Sequence, residues 1–251
     1  MIVLLISAVV TFYWYQRTVV NNKPLFIRSI PAMDAIPEGV DRAVEMGKPL
    51  HYTPGGRAEL IGQLVPMTLA SLNIMRRVAR ECAEKGARLI ISAPMSPEAL
   101  PLMQSIVQEQ YILADKAEAY RASDIRWHAR QQVPWQAGVL GIFIREGVAT
   151  NIMIGACAGD SVAVMVGAKE FGALNIGGTP RWIMTYIFAM VSDYAVIGDE
   201  LYAASTKISQ DPMSISNIGA TDTIKWLLMG GILLLIIAGL AGLNVTNLLT
   251  M

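Results

Sequence analysis

All the charge in this chain is confined to its middle. The 40 Lys, Arg, Asp and Glu side chains of the 251-residue sequence lie between Arg17 and Lys225, and both ends carry none. That pattern describes a charged domain between two segments that need an apolar environment. The run Trp226 to Leu243 (WLLMGGILLLIIAGLAGL) has 18 residues without a charge. With Asn244 to Met251 added, it is long enough to cross a hydrocarbon core of about 30 Å at about 1.5 Å per residue. The N-terminal run Met1 to Tyr15 (MIVLLISAVVTFYWY) is shorter and approaches spanning length when extended through Val20. Phe12 to Tyr15, and Trp226, are placed as aromatic belts at membrane faces. No basic residue precedes the first apolar run and no A-x-A-like site follows it. It therefore reads as a retained anchor rather than a cleaved signal peptide.

Arg17, Lys23 and Arg28 follow the first run, and Lys225 precedes the second. The positive-inside rule then predicts a cell-membrane protein with two helices, its soluble domain cytoplasmic and both termini outside. Two isolated cysteines, Cys82 and Cys157, suit a reducing compartment and read as packed thiols. The only histidines are His51 and His128, so no metal site is expected. The net charge of zero argues against nucleic acid as a partner.

Residues 21–40 carry Pro24, Pro31 and Pro37 without a sustained period and read as a connector. The organisation predicted is an N-terminal anchor over 1–20, the connector over 21–40, an α/β domain over 41–222 and a transmembrane helix over 223–248. Within the domain, 49–52, 88–93, 125–128, 151–156 and 173–176 read as short strands. Helical patterns lie between them. Thr68 to Lys85 places Leu69, Leu72, Met75, Val78, Ala79 and Cys82 on one stripe, with Gly86 as its C-cap. Further helices are predicted from Ser96 onward and over 133–145, 160–171 and 180–205. Strands alternating with helices predict a mostly parallel, Rossmann-like sheet flanked by helices. Trp182 to Val191 (WIMTYIFAMV) is apolar nearly all round. Asp193, Asp199 and Glu200 follow it closely, which favours a buried helix, or one packed on a neighbouring subunit, over a third span.

Three glycine-bearing junctions follow candidate strands: Thr53-Pro54-Gly55-Gly56-Arg57, Gly155 to Ser161 (GACAGDS) and Gly177-Gly178-Thr179-Pro180-Arg181. Such loops lie at the carboxyl ends of parallel strands, where helix N-termini offer unpaired N–H groups. The candidate ligand-binding residues are Gly55, Gly56, Arg57, Gly159, Asp160, Ser161, Gly178, Thr179 and Arg181. The competing reading is plain turn chemistry, since none of the three fits G-x-G-x-x-G or the P-loop pattern. Ser161 lacks the second glycine of a nucleophile elbow and reads with Asp160 as a helix cap. Asp193 and Glu200, seven apart on one predicted helix, share a face; paired carboxylates can bind a metal or exchange protons, and the favoured reading is pairing with arginines across a subunit contact. No catalytic residue and no cofactor are expected.

Three stretches carry a resemblance: RAVEMGKPLHYTPG (42–55), IREGVATNIMIGACAGDS (144–161) and the run from GALNIGGTP to SDYAVIGDELYAASTKIS (172–209). In that order they resemble a family of prokaryotic membrane proteins known only as a domain of unknown function. The resemblance implies a soluble domain tied to the membrane and brings no activity with it. The function expected is non-enzymatic: a membrane-anchored subunit of a homo-oligomeric, ring-like assembly or scaffold, with the lipid bilayer as partner. The alternative is a membrane-tethered sensor or enzyme that binds a small molecule or nucleotide at the glycine loops.

Overall fold

A computed structural model describes residues 2–23 and 25–240. The extension of the C-terminal run through Asn244 to Met251, with Gly242, lies outside the described residues, as do Met1 and Pro24. Two compact units are present, Arg28–Ser209 on one hand and Met1–Ile27 with Gln210–Met251 on the other.

In chain order the elements are α1 (Ile2–Tyr15), a π-helical turn (Gln16–Val20), α2 (Pro31–Asp34), α3 (Ile36–Glu45), β1 (Leu50–Thr53) and α4 (Val65–Lys85). There follow β2 (Leu89–Ser92), α5 (Leu100–Leu113), β3 (Ile125–Arg126), α6 (Gln132–Glu146), β4 (Thr150–Ile154) and α7 (Gly159–Glu170). The chain continues with β5 (Leu174–Thr179), α8 (Trp182–Val191), β6 (Tyr194–Ile197), α9 (Glu200–Ser209) and α10 (Pro212–Leu240).

The larger unit holds a six-stranded sheet in the order β3-β2-β1-β4-β5-β6, every pair parallel. This is a Rossmann-like, doubly wound α/β sheet. Strand alternation divides the core in two. Leu50 and Tyr52 of β1, Leu89 and Ile91 of β2, and Ile152 and Ile154 of β4 face one side with α3, α4, α5 and α9. Ile90 and Met153 face the other with Trp135, Val139 and Phe143 of α6, Val164 and Met165 of α7, and Phe188 of α8. The order reverses between β1 and β4, so the two loops leaving these strands diverge to opposite faces.

Several local readings change. The stretch 180–205 is not one helix. Asp193 leaves the helical path and accepts the Asn175 N–H at 2.8 Å, Tyr194–Ile197 pairs with β5 as an edge strand, and Gly198 turns with φ +58°. Asp193 and Glu200 therefore share no helix face. Glu200 instead accepts the Ile197 N–H at 3.0 Å and pairs with Arg28. Nor is α8 buried within this unit: Phe188 is enclosed, while Trp182, Ile183, Tyr186 and Met190 are between 54% and 75% exposed. Leu69 is likewise exposed on α4. Part of the stretch read as a connector forms α2 and α3, because Pro31 and Pro37 occupy first-turn positions where a missing N–H costs nothing.

In the smaller unit, Pro212–Ile237 is the one helix among the described residues long and apolar enough to cross a membrane. Almost none of it is buried, so it is not a core helix. Helix α1 has 14 residues before the π-helical turn and falls short of spanning length. Trp14 lies against Gly219 and donates its Nε1–H to Thr223 Oγ1 at 2.8 Å. Ser7, Thr11 and Tyr15 share a groove with Met213, Ser216 and Asn217. The two helices thus run in the same direction here. Where two spanning helices were expected, one helix of spanning length is found among the described residues.

Candidate functional site

The three junctions meet at the carboxyl end of the sheet, where β1, β4 and β5 lie side by side. Backbone hydrogen bonds join them. Ala156 N–H donates to Pro54 O at 2.9 Å, Arg57 N–H to Ala156 O at 3.1 Å, and Gly155 N–H to Gly178 O at 2.9 Å. The glycines exist for this joining. Gly55 has φ +90°, and a Cβ there would sit 2.5 Å from Ala156 O; Gly155 has φ +139°, and a Cβ there would sit 2.5 Å from Pro54 O. A Cβ on Gly56 would fall on the Asp160 carboxylate and crowd Trp135, and one on Gly178 would fall on Val196. Only Gly159, among the site glycines, faces open space.

Helix α7 begins at that open position. Ala158 is extended, and its N–H donates to Ser161 Oγ at 3.3 Å, so Ser161 serves as a cap rather than a nucleophile. Asp160 is fully buried in the first turn. Its Oδ2 accepts the Ser161 hydroxyl at 3.4 Å, while Oδ1 has no hydrogen-bond partner. Burial raises the Asp160 pKa, and its own N–H, Arg57, Ser161 and Arg181 offset part of that rise.

Two arginines flank the helix N-terminus. Arg57 follows β1, is half exposed, and holds its Nε 4.0 Å from Asp160 Oδ1, with Nη2 donating to Gln132 Oε1 at 3.4 Å. Arg181 follows β5, donates its N–H to Thr179 Oγ1 at 3.3 Å and its Nη1–H to Cys157 O at 3.4 Å. It makes no ion pair among the described residues. Guanidinium groups and free helix N–H groups bind phosphate or carboxylate oxygens. All nine candidate residues thus lie at one end of the sheet. Exposed donors come from Arg57, Arg181 and the backbone at Gly159, whereas Gly55, Gly56, Gly178 and Thr179 are enclosed. Cys157 is enclosed beside them, and burial pushes its thiol up to about 12, so it is inert at neutral pH. Among the described residues no group of three His, Cys, Asp or Glu side chains could hold a metal ion.

The walls of this crevice include residues that sequence reasoning passed over. Trp135 is fully buried in α6, donates Nε1–H to Ala93 O at 2.8 Å, and lies against Gly56. Met95 N–H donates to Gly56 O at 3.0 Å, and Gln136 Nε2–H to Asp160 O at 3.0 Å. A second polar feature lies deeper, where His51, Asn151 and Asn175 are buried in β1, β4 and β5. A His or Asn beside Leu or Ile in each of the three strands was the available signal.

No curated protein and no solved structure matches the chain. A family model described as a domain of unknown function, DUF6754, matches residues 1–249. The chain belongs to that family.

Proposed function

We propose that this protein is a membrane-tethered domain that binds a small anionic molecule, phosphate- or carboxylate-bearing, at the β1–β4 switch point. One observation carries the reading. Arg57 and Arg181, from loops after different strands, flank the open N-terminus of α7 with one buried carboxylate between them, Asp160, 4.0 Å from Arg57 Nε. The doubly wound topology supports it, since ligands of such sheets bind where the strand order reverses. Helix α10 is the tether: its bare apolar length from Trp226 onward calls for lipid. Lys225 at its polar edge favours a cytoplasmic domain. Isothermal titration of the full chain in detergent, with inorganic phosphate and with ATP as probes, tests the site. Saturable binding that weakens in Arg57→Ala and Arg181→Ala supports the reading. Binding that is absent, or equal in both variants, overturns it.

A second reading has its own observation. The bare face of α8, with Trp182, Ile183, Tyr186 and Met190, suits a homo-oligomeric scaffold in which this face meets another subunit. Native mass spectrometry reads subunit number directly. A defined oligomer lost in Tyr186→Asp supports it, and a monomer at all concentrations removes it.

A further inference from the structure

A buried polar row crosses the sheet beneath α6 and α7. His51, Asn151 and Asn175 occupy matching register positions on β1, β4 and β5. Ser92, at the end of β2, and the half-buried His128, just past β3, continue the row toward the surface. Each link is within hydrogen-bond distance. His128 Nε2 is 3.2 Å from Ser92 Oγ, Ser92 Oγ is 2.8 Å from His51 Nε2, and His51 Nδ1 is 2.7 Å from Asn151 Oδ1. Asn151 Nδ2 is 2.9 Å from Asn175 Oδ1, and Asn175 Nδ2 is 2.8 Å from Met165 O.

The proton positions follow from the closed end of this row. The Met165 carbonyl only accepts, so Asn175 Nδ2 donates to it and Asn175 Oδ1 accepts from Asn151 Nδ2. Asn151 therefore presents Oδ1 to His51, and His51 must carry its hydrogen on Nδ1. The Nε2 lone pair of His51 then accepts the Ser92 hydroxyl, and Ser92 Oγ accepts from His128 Nε2–H. Every donor points inward from the surface.

We infer that His128, Ser92 and His51 form a proton relay that carries a solvent proton into the sheet and loads it onto His51, at the seam between β1 and β4. The transfer balances without moving a heavy atom. A solvent proton bonds to His128 Nδ1. The His128 Nε2–H bond breaks as that hydrogen bonds to Ser92 Oγ, and the original Ser92 O–H bond breaks as its hydrogen bonds to His51 Nε2. His128 ends neutral with its hydrogen on Nδ1, Ser92 ends as a hydroxyl, and His51 ends as a cation. No electrons change owner.

The surroundings set the balance point. Phe143 of α6 meets the His51 ring edge-on at 5.1 Å. Burial, with smaller contributions from His128 and Arg126, holds His51 down to about 4, against the opposing bond to Asn151. Burial also lowers His128, with Arg126 and Arg145 adding to the effect. The charged groups bearing on the two rings are thus Arg126 of β3 and Arg145 of α6. The groups facing the row from β2, β4, β5 and α7 are Ser92, Asn151, Asn175 and Met165, all neutral. The seam matters because His51 stands two residues before Thr53, and Asn151 four before Gly155, so a charge there arises beneath the loops of the crevice. The relay does not depend on the crevice binding anything.

The test uses the full chain in detergent with ¹⁵N-labelled histidine, where only two ring systems are present. Near neutral pH the expected spectrum shows hydrogen on Nδ1 of His51 and on Nε2 of His128. On acidification His51 becomes doubly protonated, and the Gly55 and Gly155 amide signals move with the same midpoint. In Ser92→Ala, exchange with solvent of the hydrogen that acidification loads onto His51 Nε2 slows by about tenfold or more, the rate equivalent of one lost hydrogen bond, and Ser92→Thr restores it. Hydrogen on His51 Nε2 near neutral pH, or unchanged exchange in Ser92→Ala, overturns the inference. The wild-type spectrum decides alone if Ser92→Ala fails to fold.

Discussion

The two ends of the sheet treat their arginines differently. At the amino end, toward the β3 edge, Arg88 donates to both oxygens of Asp124, at 2.9 and 2.7 Å, and to Glu146 at 2.9 Å. Arg126 completes the ring, reaching Asp124 at 3.2 Å and Glu146 at 3.0 Å. Two arginines meet two carboxylates, and nothing is left over. At the carboxyl end Arg57 and Arg181 flank one enclosed carboxylate, whose nearest guanidinium nitrogen is 4.0 Å away. A cavity of about 190 Å³, lined in part by Cys82, Arg88, Tyr111, Tyr120 and Asp124, lies at the matched end. Cavity volume and unmatched charge thus point to opposite ends. Charge is the better guide to an anion, because in the matched ring two carboxylates already balance the two arginines. One end is built to hold the fold, and the other retains unspent hydrogen-bonding capacity.

That contrast is sharpened by variants ranked by expected effect. Trp135→Ala removes a fully buried indole that supports Gly56 from below. It should cost about 3–5 kcal/mol in denaturant unfolding and disturb the crevice as well. The His51 row adds a pH effect of similar size. His51 is held down from 6.5 to about 4, so its neutral form contributes stability that is complete above pH 6.5 and lost as pH falls toward 4. The total is about 3 kcal/mol at about 1.4 kcal/mol per unit, and His51→Gln should flatten that slope in acid unfolding curves.

At the amino end, Arg88→Ala leaves Asp124 with Arg126 alone. Breaking a buried pair costs about 3–5 kcal/mol, but Arg88 is partly exposed and Arg126 remains, so the loss expected is about 1–3 kcal/mol. At the other end, Arg57→Ala should change stability by less than about 0.5 kcal/mol, as an exposed surface change does. Its effect belongs to binding, where one lost charge-assisted hydrogen bond is worth about tenfold or more in affinity. If Arg57→Ala destabilises as much as Arg88→Ala, the contrast between the ends collapses. Asp160→Asn is a finer probe. Burial raises this carboxyl above 3.8, so it contributes stability when protonated and loses that contribution as pH rises through the raised value. The amide should therefore stabilise the protein at neutral pH.

Much of the sheet was legible because short apolar runs such as RLIISA stand between helical patterns and end in glycine-bearing turns. Strand β6 was not, since Tyr194–Ile197 continues the apolar run of α8 and periodicity does not separate them. Helices α2 and α3 were hidden because Pro31 and Pro37 look like breakers until the chain is seen to start helices at them. That the three junctions follow strands was legible, but their meeting was not, since it depends on the order β1-β4-β5 in the sheet. The work of the glycines was not legible either, because Gly55 and Gly155 answer to each other's backbone across a contact that exists only in the folded sheet. The polar residues were visible one by one, but their alignment into a row was not, for a related reason. His51, Asn151 and Asn175 lie far apart in the chain, and only strand register aligns them.

The central claim is that the unmatched end of the sheet takes an anion. Backbone amide NMR of the full chain in detergent, titrated with inorganic phosphate and then ATP, tests it most directly. The account predicts shifts centred on Ala158 to Ser161, with Arg57 and Arg181 side-chain signals following, and their disappearance in the Arg57→Ala, Arg181→Ala double variant. Shifts centred on Arg88, Tyr120 and Asp124, or none at all, would contradict it.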